Sequence, residues 1–79
     1  MKQLHWFTAH WCGPCQQMKK KYPELPGVMV THIDIDDEVN GSVMRDYNIR
    51  SIPSFVLKDN GVVVKQRTGV FDLTEWVSQ

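Results

Sequence analysis

Cys12-Gly13-Pro14-Cys15 lies directly after an apolar run and directly before a helix-like pattern, so the chain must pass from strand to helix at these residues. No other segment restricts the fold so tightly. Leu4–Thr8, ahead of it, is aromatic and apolar with too few polar breaks for a half-exposed strand, which predicts a central strand covered on both faces. Behind it a helix is predicted from Gly13 or Pro14 to Tyr22. Cys15, Met18 and Tyr22 share one face, Lys19 and Lys20 point away, and Pro23 ends it. Pro14 suits the first helical turn, where a missing N–H loses no bond. Gly13 is expected to let the backbone turn tightly.

Cys12 and Cys15 are the only cysteines. Two thiols at this spacing can close a disulfide, and one at a helix N-terminus has its thiolate stabilised by unpaired N–H groups and the helix dipole. The closed loop is too small to constrain the unfolded chain, so the bridge is a poor staple. The pair reads as a reversible dithiol/disulfide couple. With 79 residues the chain is near the lower size limit for a self-sustaining core, and 42% hydrophobic residues must supply its stability.

Val28–Ile35 reads as a second strand, rich in β-branched residues. The carboxylates Asp34, Asp36, Asp37 and Glu38 then suit the start of a second helix, with Val39, Val43, Met44 and Tyr47 at core spacing. Gly41 weakens its beginning and moves the expected start toward Ser42. Ser54–Lys58 and Val62–Thr68 flank Asp59-Asn60-Gly61, a hairpin signal. Gly69 breaks the last strand, and Asp72 with Glu75 gives a capping-box-like start to a short final helix. The order β-α-β-α-β-β-α predicts an α/β fold in one domain, residues 1–79: a four-stranded mixed sheet with helices on both faces.

Nine basic and nine acidic side chains cancel, leaving no global field for nucleic acid or an anionic membrane. Lys19-Lys20-Lys21, the one cationic run, reads as a solvated helix face. The first residues have neither an apolar signal region nor a small-residue cleavage site, and no apolar stretch approaches the ~18 residues of a membrane span. A two-cysteine chain of this kind suits a reducing cytoplasm. Zinc on Cys12, Cys15 and His10 would lack the second ligand pair that structural sites use, so no metal is expected.

Phe7-Thr8-Ala9-His10-Trp11-Cys12-Gly13-Pro14-Cys15 resembles the active-site segment of thioredoxins. Tyr47-Asn48-Ile49-Arg50-Ser51-Ile52-Pro53-Ser54-Phe55 resembles their second signature, whose proline is cis and faces the cysteines. Lys58-Asp59-Asn60-Gly61-Val62 and Thr68-Gly69-Val70 match the later hairpin turn and a glycine near the substrate groove. The resemblance implies a minimal thioredoxin fold without the family's N-terminal strand and helix. Val28–Ile35 then becomes an exposed sheet edge, where another chain could add a strand.

It implies a protein disulfide reductant in which Cys12 is the nucleophile and Cys15 the resolving thiol. Trp11, Gly13, Pro14, Ile52, Pro53, Gly69 and Val70 would meet the substrate. No cofactor would be bound. Electrons would come from an external reductase, thioredoxin-reductase-like or glutathione-dependent. Clients would be disulfide-containing proteins, ribonucleotide reductase among the family-level expectations, and the chain would act as a monomer.

Two positions depart from the family pattern. Trp6 stands where a buried acid accepts the resolving cysteine's proton, and His32 stands at the usual strand lysine. His32 is therefore the candidate proton acceptor for Cys15, against a purely structural edge-strand role. His10 either favours the Cys12 thiolate when protonated or is a surface residue; His5 reads as a hydrogen-bonded core or boundary histidine. Rival readings are an oxidising, isomerising or glutaredoxin-like exchanger, and a redox-inert interaction module. Gly-Pro between the cysteines resembles the reducing thioredoxins, and an inert module has no need of both thiols.

Overall fold

In the computed structural model, which describes residues 1–79, four strands form one sheet in the order β2-β1-β3-β4. The strands are β1 (Lys2–Thr8), β2 (Val28–Asp34), β3 (Ser54–Asp59) and β4 (Val62–Thr68); the helices are α1 (Gly13–Lys21), α2 (Gly41–Asp46) and α3 (Leu73–Ser78). β1 runs parallel to β2 and antiparallel to β3, and β3 and β4 form an antiparallel hairpin. The mixed sheet and element order are those the sequence predicts.

β1 and β3 occupy the centre because both alternate faces of each are apolar. Leu4, Trp6, Phe55 and Leu57 join Met18, Tyr22, Leu73, Trp76 and Val77 in one cluster, so this face is covered by α1 and α3. Phe7, Ile33 and Val56 form a smaller cluster on the other face, against Val43, Met44 and Tyr47 of the α2 region. β1 begins earlier than its apolar run, because Lys2 pairs through its backbone with both Val28 and Asp59. The Lys2 ammonium also donates to the Val77 carbonyl at the end of α3, 3.1 Å away.

α1 ends at Lys21, with Tyr22 as its C-cap donating its N–H to Met18. Lys19, Lys20 and Lys21 lie in its last turn, where cations suit the carbonyl end of the dipole. Asp72 caps α3 by accepting from the Glu75 N–H at 3.1 Å. Asn60 and Gly61 turn the β3–β4 hairpin with φ of 52° and 84°, the mirror-type geometry that matches strand twist.

The second helix differs from expectation. Asp37 accepts from the Val39 N–H and starts a 3₁₀ turn over Glu38–Asn40, so the side-chain phase shifts before α2 begins. Val39 consequently points to solvent, 77% exposed, and is not core. Gly41 does not delay the helix: it has right-handed helical angles and donates to the Glu38 carbonyl. β2 is an outer strand with Met29, Thr31 and His32 exposed, as the edge reading expects.

Candidate active site

The end of β1 delivers the cysteines to the first turn of α1. The Cys12 N–H donates to the Ala9 carbonyl at 3.1 Å, and the Gln16 side chain donates to the same oxygen at 2.9 Å, which fixes the loop between strand and helix. Cys12 is the N-cap, its sulfur accepting from the Cys15 N–H at 3.2 Å. A thiolate there would face unpaired helix N–H groups, which lower its pKa. Cys12 and Cys15 form a disulfide, with Cα atoms 5.2 Å apart. Both cysteines are buried, but Cys12 retains 6% of its surface and Cys15 none, so Cys12 is the one nearer to solvent. Pro14 sits in the first helical turn, as expected. Gly13 opens α1 without a left-handed backbone, and a Cβ there would meet nothing within 4 Å.

Of the other named residues, Ile52 is the one that packs on the cysteines, and Pro53 and Gly69 are joined to each other. The Ile52–Pro53 bond is cis, and the Pro53 carbonyl accepts from the Gly69 N–H at 2.9 Å, tying the two loops together. Gly69 has φ of 97°, a conformation that disfavours any side chain. Ile52 packs against the Ala9–Cys12–Cys15 cluster, and Val70 is exposed. Trp11 is 62% exposed, which removes the core-packing alternative for it. Its indole N–H donates to Asp36 Oδ2 at 2.6 Å. Sequence reasoning read Asp36 only as a helix-start carboxylate; nothing local signals a partner 25 residues away. Ile35, Met44 and Ile49 were also missed: with Trp11 and Ile52 they line a shallow, mostly apolar groove of about 230 Å³. A second depression of about 220 Å³ lies against α3 and is lined by no cysteine or histidine.

The histidines are dispersed. His32 lies opposite Trp6 in the parallel register, with ring centroids 4.8 Å apart. Partial burial, then the Lys19 ammonium, lowers its pKa, so the ring is neutral at pH 7. No hydrogen bond links it to either cysteine. His5 stands edge-on to Tyr47 on the α2 face, its pKa lowered by burial and then by Lys58. Its Nδ1 is buried without a partner, which corrects the hydrogen-bonded reading: the neighbouring rings offer no acceptor or donor there. His10 is exposed. No three His, Cys, Asp or Glu side chains gather as a metal cluster. Two further buried groups lack partners on the α1 side of β1, Trp6 Nε1 and Thr8 Oγ1.

No helix is long and apolar enough to cross a membrane. The chain is 34% identical over 68 residues to a thioredoxin of Mycolicibacterium smegmatis, covering 80% of this chain and 61% of that protein. It is 34% identical over 74 residues to the Haemophilus influenzae thioredoxin, covering 87% and 67%. The chain thus spans about half to three fifths of the first curated relatives it matches. Among solved structures, a Halobacterium salinarum thioredoxin variant superposes with a TM-score of 0.85 at 30% identity, covering 98% of this chain and 72% of that one. Oxidised Plasmodium falciparum thioredoxin gives 0.82 at 28%, covering 98% and 78%. With the thioredoxin family model matching residues 2–79 across both the cysteine helix and the cis-proline loop, this chain belongs to the thioredoxin family.

Proposed function

We propose that residues 1–79 act as one domain that reduces protein disulfides by thiol–disulfide exchange. The observation that carries this reading is a pair of disulfide-linked cysteines at the start of α1, one fully buried and the other reaching the surface. In the reduced protein, the Cys12 thiolate attacks a client disulfide, forming a mixed disulfide and releasing one client thiolate. Cys15 then loses its proton and attacks Cys12 sulfur. The Cys12–client bond breaks, the second client sulfur leaves as thiolate and takes a proton from solvent, and the Cys12–Cys15 disulfide forms. The client gains two electrons and the pair loses two.

The surrounding residues take roles in this scheme. Trp11, Ile52, Pro53, Gly69 and Val70 form the rim that an extended client segment crosses, with Ile52 backbone groups available for strand-like pairing. Gly13 and Pro14 keep that side open. His32, neutral at pH 7 and with its ring 4.8 Å from that of Trp6, is the proposed proton acceptor for Cys15. An external reductase, thioredoxin-reductase-like or glutathione-dependent, restores the dithiol. The working compartment is a reducing cytoplasm, the unit a monomer, and ribonucleotide reductase one client class.

Trapping tests the scheme. Cys15→Ser should accumulate a mixed disulfide with a disulfide-linked peptide, and Cys12→Ser should accumulate none. Equal trapping by both variants, or by neither, would overturn it. His32→Gln tests the acceptor separately: an unchanged resolution rate at pH 7 would remove His32 from the scheme.

A further inference from the structure

Thr8 ends β1 immediately before the cysteine loop, and its side chain is 3% exposed. Its carbonyl accepts from the N–H of Ile35, the residue after β2, at 3.0 Å, but its hydroxyl has no partner. A buried hydroxyl without a bond is costly, so a position that keeps one calls for a physical reason.

Strand and helix spacing place that hydroxyl on the face of β1 that carries α1, toward the turn holding the resolving cysteine. Because β1 and β2 are parallel, α1 runs back over β1 in the opposite direction, with its first turn above the strand's end. Alternate β1 residues on this face step about 6.8 Å, and successive turns of α1 about 5.4 Å. This spacing sets Tyr22 over Leu4 and Met18 over Trp6, and all four belong to the ten-residue cluster on this face. The next pair in the series is Cys15 over Thr8. No carboxylate competes for the hydroxyl: Thr8 and Ser54 are the only buried polar residues. Trp6 Nε1–H, the other unpaired group on this face, donates only and cannot take the hydroxyl's proton.

We propose that the Thr8 hydroxyl donates a hydrogen bond to Cys15 sulfur once the disulfide opens, stabilising the Cys15 thiolate. In the disulfide the sulfur is a weak acceptor and the hydroxyl stays unpaired; in the thiolate it becomes a charged one. This rests on the exchange reading above and adds a residue to its second step. Cys15 still gives its proton to a base, and the hydroxyl keeps its own while holding the resulting anion. The site thus offers a donor to the thiolate where the family pattern has an acid to receive the proton.

The test follows the reaction of the fully reduced protein with 5,5′-dithiobis(2-nitrobenzoate) by stopped-flow absorbance. Attack by Cys12 releases the first thionitrobenzoate, and displacement by Cys15 releases the second. The pH dependence of the second phase reports the Cys15 titration. Thr8→Val keeps the shape and removes the donor. It should raise the Cys15 pKa by about one unit and slow the second phase about tenfold near neutral pH, with the first phase unchanged. Thr8→Ser should restore the wild-type profile. A second phase identical in Thr8→Val and wild type, or equally slowed in Val and Ser, overturns the proposal. A wild-type protein with no rapid second release would instead overturn the exchange reading itself. Thermal melts of each oxidised variant establish that it is folded.

Discussion

Trp6→Ala should remove most of the stability of this protein. Trp6 is fully buried at the centre of the sheet, with its ring 5.0 Å from Phe55 and 4.8 Å from His32. A buried aromatic of this size removes about 150–250 Å² from water, about 4–6 kcal/mol at about 25 cal/mol/Å². Partial burial in the unfolded chain trims this toward the 3–5 kcal/mol found when large aromatics are truncated. At about 0.05–0.15 kcal/mol per residue, 79 residues hold roughly 4–12 kcal/mol in total. Urea unfolding of the oxidised protein checks it. With a slope of about 1 kcal/mol/M for so small a chain, the midpoint should fall by about 3 M or more, leaving the variant partly unfolded without denaturant. A midpoint lowered by less than about 1 M would refute the reasoning, because position 6 would then not be holding the two central strands to α1. The same arithmetic explains why an acid at position 6 could not simply be introduced: a carboxylate would lose this packing and bury a charge without a partner.

Two further outcomes follow from the groups around the site. His5 and His32 both have pKa values lowered from 6.5 in the folded state, by burial first and by Lys58 and Lys19 second. The unfolded chain therefore binds more protons, and the stability due to the neutral rings is complete above about 6.5 and lost as pH falls through the lower folded values. The thermal midpoint should drop between pH 7 and 5, and a His5→Gln/His32→Gln double variant should flatten that drop; an equally steep profile in the double variant would refute the assignment. Asp36→Ala should free the Trp11 indole from its 2.6 Å bond. An exposed bond of this kind is worth about 1 kcal/mol, so the KM for a disulfide-linked peptide should rise about fivefold while kcat and the first dithiobis(nitrobenzoate) phase hold. A change in kcat with KM constant would contradict a positioning role for Asp36.

The elements that sequence specifies well here are those whose reasons are local. Pro14 and Pro23 bracket α1, Asn60-Gly61 demands its hairpin, and Asp72 caps α3 within one turn. The cysteine pair is legible for the same reason, since its spacing and its helix lie in one stretch of chain. What remained hidden depends on distant pairing. Asp36 meets Trp11 only once the chain after β2 is folded beside the cysteine loop, and Met44 and Ile49 reach the groove only when α2 packs under the sheet. Val39 was misread because a side chain of Asp37 diverts the backbone into a tighter turn, which helical spacing does not anticipate. In sequence Thr8 is simply the last residue of the central strand; that its hydroxyl is buried without a partner shows only in the fold.

The sheet separates a firm half from a yielding one. Ten buried side chains lock α1 and α3 to one face, whereas three hold the α2 region to the other, and α2 itself has no buried residue and no side-chain cap. Local opening therefore begins around α2, well below the cost of global unfolding. Ile52 leans on that softer half, so in the proposed scheme the rim it forms moves with α2. Ile52 and Ile35 also pack against Ala9, Cys12 and Cys15, so the disulfide lies where the softer half meets the first turn of α1.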